Sequence, residues 1–175
     1  SAMFASKLKE AIICFKNLRV TLPYPFKPSL PPEGFRGRID VSIDKCIGCG
    51  ACANVCPPRL ISIVDHDTRR TIEFILGKCT YCARCAEICP AEAIIMSKEF
   101  ELATDNKSDL NISLELNMVK CDKCGTAYTT QRIIDRIKTQ LPKEIGLELI
   151  ALDSLKLCPS CRKLQEGQKI SEAGV

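Results

Sequence analysis

A chain of 175 residues and 19.4 kDa has room for one domain, or for one domain and a small module. Its 46% hydrophobic and 26% charged residues exclude a disordered or fibrous chain, and no run approaches the roughly 18 apolar residues a membrane-spanning helix needs. A formal net charge of +4 is modest, whereas 13 cysteines leave two readings, a disulfide scaffold or a metal protein.

The disulfide reading fails on three grounds. The cysteine count is odd, the chain is large for a stapled mini-domain, and its front does not read as an export signal once Ser1 and Ala2, which precede Met3, are set aside. The cysteines also cluster at two-residue gaps, which lets several thiolates converge on one centre. The expected setting is a reducing compartment, the cytoplasm or its membrane face.

Residues 1–38 form the first segment. Phe4, Leu8, Ala11, Ile12, Phe15 and Leu18 recur at helical spacing with lysines between them, so an amphipathic helix is expected over 4–18. From Leu22 to Pro32, five prolines in eleven residues fix φ and remove amide donors, which predicts an extended strap. Tyr24, Phe26 and Leu30 favour docking of that strap over free flexibility. Seven basic residues face two acidic ones in 1–38, a local charge of +5 that suits an acidic neighbour or an anionic membrane surface.

Residues 39–98 hold an internal repeat. The run from Asp44 to Pro57 matches that from Gly77 to Pro90 with an offset of 33 at all four cysteines. Each half predicts a short strand, a cysteine loop, a short helix and another strand. Between them, Leu60–Val64 and Thr71–Ile75 flank a polar turn, a hairpin pattern.

The run Cys-x-x-Cys-x-x-Cys-x-x-x-Cys-Pro is that of bacterial two-cluster ferredoxins. Three thiolates of one loop grip one cubane, and the fourth cysteine ligates the other. One [4Fe–4S] cluster is therefore expected on Cys46, Cys49, Cys52 and Cys89, and a second on Cys79, Cys82, Cys85 and Cys56. A pair of zinc sites would use two-and-two cysteine pairs instead. Gly48 and Gly50 let backbone amides approach the sulfurs, whereas the second loop carries Tyr81, Ala83 and Arg84, so different hydrogen bonding and unequal potentials are expected. Ile47, Val55, Ile61, Ile63, Ile88, Ile94 and Ile95 are expected to wrap the clusters.

Residues 99–120 read as a polar linker, with Leu110, Ile112, Leu114 and Leu116 alternating as in one strand. Residues 121–162 begin and end on the pairs Cys121/Cys124 and Cys158/Cys161, 33 residues apart. Four thiolates suit a closed structural Zn²⁺ site, and the same knuckles suit a single rubredoxin-like iron; zinc is favoured. With few large apolar residues here, metal is expected to supply much of the folding energy. Inside this module a helix is expected over Thr129–Leu141, ended by Pro142, and a strand within Leu147–Leu157. The tail, 163–175, reads as polar and flexible. Loading all three sites lowers the net charge to about −2, so the basicity of the bare chain is no argument for nucleic acid.

Phe35-Arg-Gly-Arg38 and Cys46-Ile-Gly-Cys-Gly-Ala-Cys52, preceded by Leu22-Pro-Tyr-Pro25, resemble the eight-iron ferredoxin subunit of respiratory complex I and of its relatives, the group 4 membrane-bound [NiFe]-hydrogenases that include formate hydrogenlyase. The resemblance covers residues 4–98, and the added cysteine module makes the chain more similar to the formate hydrogenlyase subunit. It implies an α+β fold, a two-cluster pseudo-twofold ferredoxin-like domain with an N-terminal helix and strap and a small four-cysteine module of zinc-ribbon or rubredoxin-like type. It implies an electron-transfer subunit, not an enzyme by itself, peripheral on the cytoplasmic face of the membrane. The partners implied are hydrogenase small and large subunits, an electron-input subunit, and membrane-arm proteins or the membrane surface through the N-terminal helix, with no nucleic acid.

Other residues carry weaker claims. Cys14, within the apolar helix, reads as a small buried hydrophobe, and His66 as a solvated turn residue around which no catalytic set can be built. Arg36 and Arg38 suit an acidic partner or lipid headgroups, or plain solvation, and Tyr81 is placed to pack on a cluster. Two other function classes compete with the relay subunit. A free ferredoxin carrier has no need of the apolar arm, and a nucleic-acid-binding zinc ribbon would require salt-sensitive binding.

Overall fold

The computed structural model describes residues 2–17, 23–27, 29–144 and 154–172, with side chains described for 5–17, 23–27, 29–140 and 154–171. It divides into two units, Ser1–Phe35 and Arg36–Val175.

In the first unit, α1 spans Ala2–Lys16. Both the backbone N–H and the side-chain Nδ2 of Asn17 donate to Ile13 O at 3.1 Å, which closes the helix. Its side chains from Ala5 to Asn17 are exposed, Phe15 by 87%, and Cys14 with them rather than buried; Leu18 lies outside the described residues. The strap is not extended throughout. Lys27 N–H donates to Pro23 O at 3.0 Å and Phe35 N–H to Pro32 O at 3.3 Å, because proline lacks a donor but keeps its carbonyl acceptor. Leu22 and Pro28 lie outside the described residues.

The second unit follows the repeat. β1 (Ile39–Val41) leads through the first cysteine loop to α2 (Ala51–Val55) and β2 (Ile61–Asp65). β3 (Arg69–Ile75) leads through the second loop to α3 (Arg84–Glu87) and β4 (Ile94–Met96). β1 pairs antiparallel with β4, Ile39 opposite Met96, and β2 with β3, Ile61 opposite Phe74. Each half thus supplies one strand to each pair, and neither half closes alone.

The segment expected as a linker is part of the sheet. β5 (Asn111–Lys120) runs antiparallel to β3, with Ile72 opposite Leu114 and Phe74 opposite Ile112, and β6 (Ala127–Thr130) pairs with β5. The four-stranded order is β2-β3-β5-β6. The alternation in the sequence marks a strand but does not say which edge it covers; β3 has a second row of backbone groups to satisfy, and β5 satisfies it. Leu114 and Leu116 enter the same core as Ile39, Leu60, Ile72 and Phe74.

α4 (Gln131–Glu144) starts two residues later than expected, since Thr129 and Thr130 belong to β6, and runs past Pro142. A proline this near a helix end removes one backbone bond without breaking the preceding turns. Of the strand expected within Leu147–Leu157, residues 147–153 lie outside the described residues, and a turn closes over 154–157, Leu157 N–H donating to Ser154 O at 3.3 Å. The tail expected to fray from 163 continues a helix, α5 (Pro159–Glu172), with Pro159 at its first position, where no amide donor is needed. Among the described residues, no helix is long and apolar enough to cross a membrane.

Candidate iron–sulfur and metal sites

Eight cysteines line two cavities. Cys46, Cys49, Cys52 and Cys89 line one, its walls completed by Val41, Ile72, Phe74 and Ile94. Cys56, Cys79, Cys82 and Cys85 line the other, with Ile39, Leu60, Ile61 and Met96. Each cavity takes three cysteines from one loop and the fourth from the other. Cys52 and Cys56 sit at the two ends of α2, about 6 Å apart along its axis, so one helical turn leads from one cavity to the next.

The two loops share a backbone despite different residues. Gly48 (φ 74°) and Gly50 (φ 78°) are left-handed, and their counterparts 33 residues on, Tyr81 (φ 53°) and Ala83 (φ 65°), are left-handed too. Arg59 (φ 49°) and Glu92 (φ 48°) repeat the pattern after each Cys-Pro. A side chain in this region costs about 1–2 kcal/mol, and the loop geometry imposes it without glycine. The turn aims amides at sulfur: Tyr81 N–H donates to Cys79 Sγ at 3.4 Å and Ala93 N–H to Cys89 Sγ at 3.3 Å.

Burial pushes the Cys52 thiol up to about 12, with Cys46 and Cys49 as the next causes. Burial also raises Cys46, Cys79 and Cys85, against backbone N–H groups that act in the other direction. Sulfur in an apolar pocket resists ionisation until a cationic centre supplies the missing charge, so the donor set and its surroundings fit iron–sulfur cores.

The first loop is held from outside by three side chains, and a fourth holds the carbonyl that follows Cys89. Arg70 of β3 donates through Nη1 to Gly48 O at 2.6 Å while its Nε and Nη2 fork onto Asp65 at 2.6 and 2.7 Å. Thr130, 0% exposed, donates to Ile47 O. Arg132 Nη1 donates to Ile43 O, to Asp44 O at 3.3 Å and to Cys46 O at 2.8 Å, and Arg136 Nη2 to Pro90 O at 2.7 Å, beside Cys89. On the second loop, Arg36 Nη1 reaches Cys82 O at 3.3 Å.

Four further cysteines converge in the C-terminal module. The Sγ atoms of Cys121, Cys124, Cys158 and Cys161 all lie within 4.8 Å of one another. Cys124 and Cys158 are 3.7 Å apart, too far for a disulfide and close to the edge of about 3.8 Å of a tetrahedron with metal–sulfur bonds near 2.3 Å. The first pair is the tip of the β5–β6 hairpin, with Gly125 N–H donating to Cys121 O at 2.8 Å; the second opens α5. Cys158 N–H donates to Cys121 Sγ at 3.2 Å and lowers that thiol to about 6, whereas hydrogen bonding to Cys158 pushes Cys161 up to about 12. Sulfurs crowded into sharing protons form a donor set on which a cation can replace those protons.

A family model described as a 4Fe-4S dicluster domain matches residues 45–93. NAD(P)H-quinone oxidoreductase subunit I, chloroplastic, of Triticum aestivum is 41% identical over 139 residues, 73% of this chain and 75% of that protein. Formate hydrogenlyase subunit 6 of Escherichia coli (strain K12) is 35% identical over 152 residues, 85% of this chain and 84% of that one. The chain belongs to the family of iron–sulfur electron-transfer subunits of complex I-like and formate hydrogenlyase complexes. A solved chain of the membrane-bound sulfane sulfur reductase, an archaeal respiratory membrane complex, is 28% identical, with a TM-score of 0.43 over 53% of this chain and 51% of that one.

As a member of that family, this electron-transfer subunit is not catalytic by itself, and it combines mixed helix and sheet with a dicluster domain and a C-terminal cysteine group that could hold a metal. Of the residues expected to wrap the clusters, Ile61 and Ile94 are buried and Ile47, Val55 and Ile63 half-buried. Ile88 (46%) and Ile95 (56%) are exposed, because α3 and β4 turn those positions away from the core. Arg70, Thr130, Arg132 and Arg136 were not singled out by sequence. Their acceptors are backbone carbonyls, and a carbonyl leaves no mark in a sequence; a threonine at the start of the expected helical run was the one available signal.

Proposed function

We propose that the subunit relays single electrons within a membrane-associated oxidoreductase of the group 4 [NiFe]-hydrogenase type, such as a formate hydrogenlyase. Cys46, Cys49, Cys52 and Cys89 hold one [4Fe–4S] cluster, and Cys79, Cys82, Cys85 and Cys56 the other. Bound clusters supply the one-electron chemistry. The chain's own work would be to hold them on cysteines that lie one helical turn apart on α2, to exclude water with Ile72, Phe74, Leu60 and Ile61, and to aim amides at sulfur. The division of eight cysteines between two cavities, each borrowing its fourth from the other loop, carries this reading.

In this proposal the C-terminal four-cysteine group holds a structural zinc, with mononuclear iron as the other occupant. α1 and the strap dock on membrane-arm proteins or on the membrane surface at the cytoplasmic face, and the body contacts hydrogenase small and large subunits and an electron-input subunit. The hydrogenase assignment is supported by a match to formate hydrogenlyase subunit 6 over 85% of this chain, against 73% for the chloroplast subunit of wheat. A complex I-type assembly is the second reading, favoured by the higher identity of 41% against 35%.

The test is anaerobic purification with metal analysis and paramagnetic resonance. About eight iron, eight sulfide and one zinc per chain are expected. Cys89→Ser should damage the cluster of the first loop and spare that of the second; loss of the second-loop signal alone refutes the crossed assignment. A nickel-bearing large subunit among co-purifying proteins supports the hydrogenase assembly, and a quinone-site subunit in its place refutes it.

A further inference from the structure

The C-terminal module does more than carry its own cysteines. Its strand β6 and helix α4 supply two of the three side chains that grip the first cysteine loop, and a third that grips the carbonyl beside Cys89. Thr130 takes Ile47 O, Arg132 takes three carbonyls from Ile43 to Cys46, and Arg136 takes Pro90 O, next to the fourth cysteine of the same cavity. The fit is close: a Cβ on Gly48 would lie 2.8 Å from Thr130 Cγ2 and 2.6 Å from Leu116 Cδ1.

The second loop has no such cover among the described residues. Arg36 and Arg84 are near it, but both are exposed, whereas Arg70 and Arg132 are half-buried. A guanidinium partly withdrawn from water acts on its surroundings with less screening than an exposed one. Positive charge favours the state that has gained an electron. Two loops with one backbone therefore sit in different fields, and the difference comes mainly from the module, since Arg70 of β3 is paired with Asp65.

We propose that the C-terminal module forms the outer wall of the first iron–sulfur site, with Arg132 as the positioning residue that holds the Ile43–Cys46 segment and keeps the first cluster easier to reduce than the second. The proposal rests on the ligand assignment above. It gives the relay a preferred resting place for a single electron, and it makes occupancy of the C-terminal four-cysteine group felt at a cluster, because β6 hangs from the hairpin that carries Cys121 and Cys124.

The test uses the full chain with both clusters and its C-terminal metal, titrated anaerobically against potential and followed by paramagnetic resonance. Arg132→Gln should lower the potential of one cluster and leave the other unchanged, with about eight iron retained. Arg132→Lys, which restores charge but not the planar guanidinium, should recover part of the shift. Arg136→Gln should move the same cluster less, and it carries the test if Arg132→Gln loses iron. Equal shifts in both clusters, or none in any variant, overturn the proposal. Cys89→Ser identifies which signal is the first cluster. If it marks the signal that Arg132 leaves unmoved, the wall belongs to the other cluster and the proposal fails. If both cysteine loops lose their signals together in Cys89→Ser, the ligand assignment fails, while the one-cluster shift with Arg132 still stands.

Discussion

The dicluster body and the C-terminal module hold their cysteines by opposite means. The body surrounds its cavities with a continuous apolar core in which Ile39, Ile72, Phe74 and Leu114 are almost fully buried, so the cysteine walls have a scaffold of their own. In the module the buried cluster among the described residues is Cys121, Cys158 and Cys161, with Tyr128 and Leu157 beside them. There the cysteines are themselves the core. On one side of a shared sheet the cysteines line a scaffold, and on the other they are the scaffold.

The sharpest break in that comparison is removal of the module's metal, by a chelator or by Cys161→Ser. Apparent metal-binding free energies of about 10–16 kcal/mol at such sites exceed what this small cluster of side chains can replace. Limited proteolysis should then cut between 154 and 172 while residues 39–98 stay protected, and equal resistance of both regions would erase the distinction. Next in size is Phe74→Ala. It empties the centre of the body core and should cost about 3–5 kcal/mol, read as a lower urea midpoint, without releasing the C-terminal metal.

A smaller effect separates the two cysteine loops. Gly48→Ala adds a Cβ at φ 74°, 2.6 Å from Leu116 Cδ1, and should destabilise by about 1–3 kcal/mol. Ala83→Gly, at the second loop's counterpart of Gly50, relieves a left-handed side chain and should stabilise by about 0.5–1 kcal/mol. Opposite signs in thermal melts of the two variants are the expected result. Smallest is Asp65→Asn. The carboxylate is held below its ordinary range by its hydrogen bond to Arg70, but it is 45% exposed, so its loss should cost under about 1 kcal/mol in a urea titration near neutral pH.

The repeat of cysteines at offset 33 marked out two local groups of three sulfurs and a fourth beyond each, and the two cavities bring the same residues together. Ligand spacing is a local property, and a loop this short has few ways to point three sulfurs inward. Glycine misled at one point. Tyr81 and Ala83 adopt the left-handed turn that Gly48 and Gly50 adopt freely, because the closed cavity over-determines the backbone.

What lay beyond local reading was pairing between distant segments. Leu110, Ile112, Leu114 and Leu116 announced a strand, but only the open edge of β3 decided that it joins the body sheet rather than bridging two domains. Arg132 looks like any solvent-facing helix residue until α4 is laid against the Ile43–Cys46 carbonyls. The sequence by itself determined which sulfurs are available and in what local groups, since that follows from spacing along a stiff chain. Tertiary structure alone decided which backbone acceptors meet which guanidiniums, since carbonyls are identical at every residue and gain identity only from where the fold puts them.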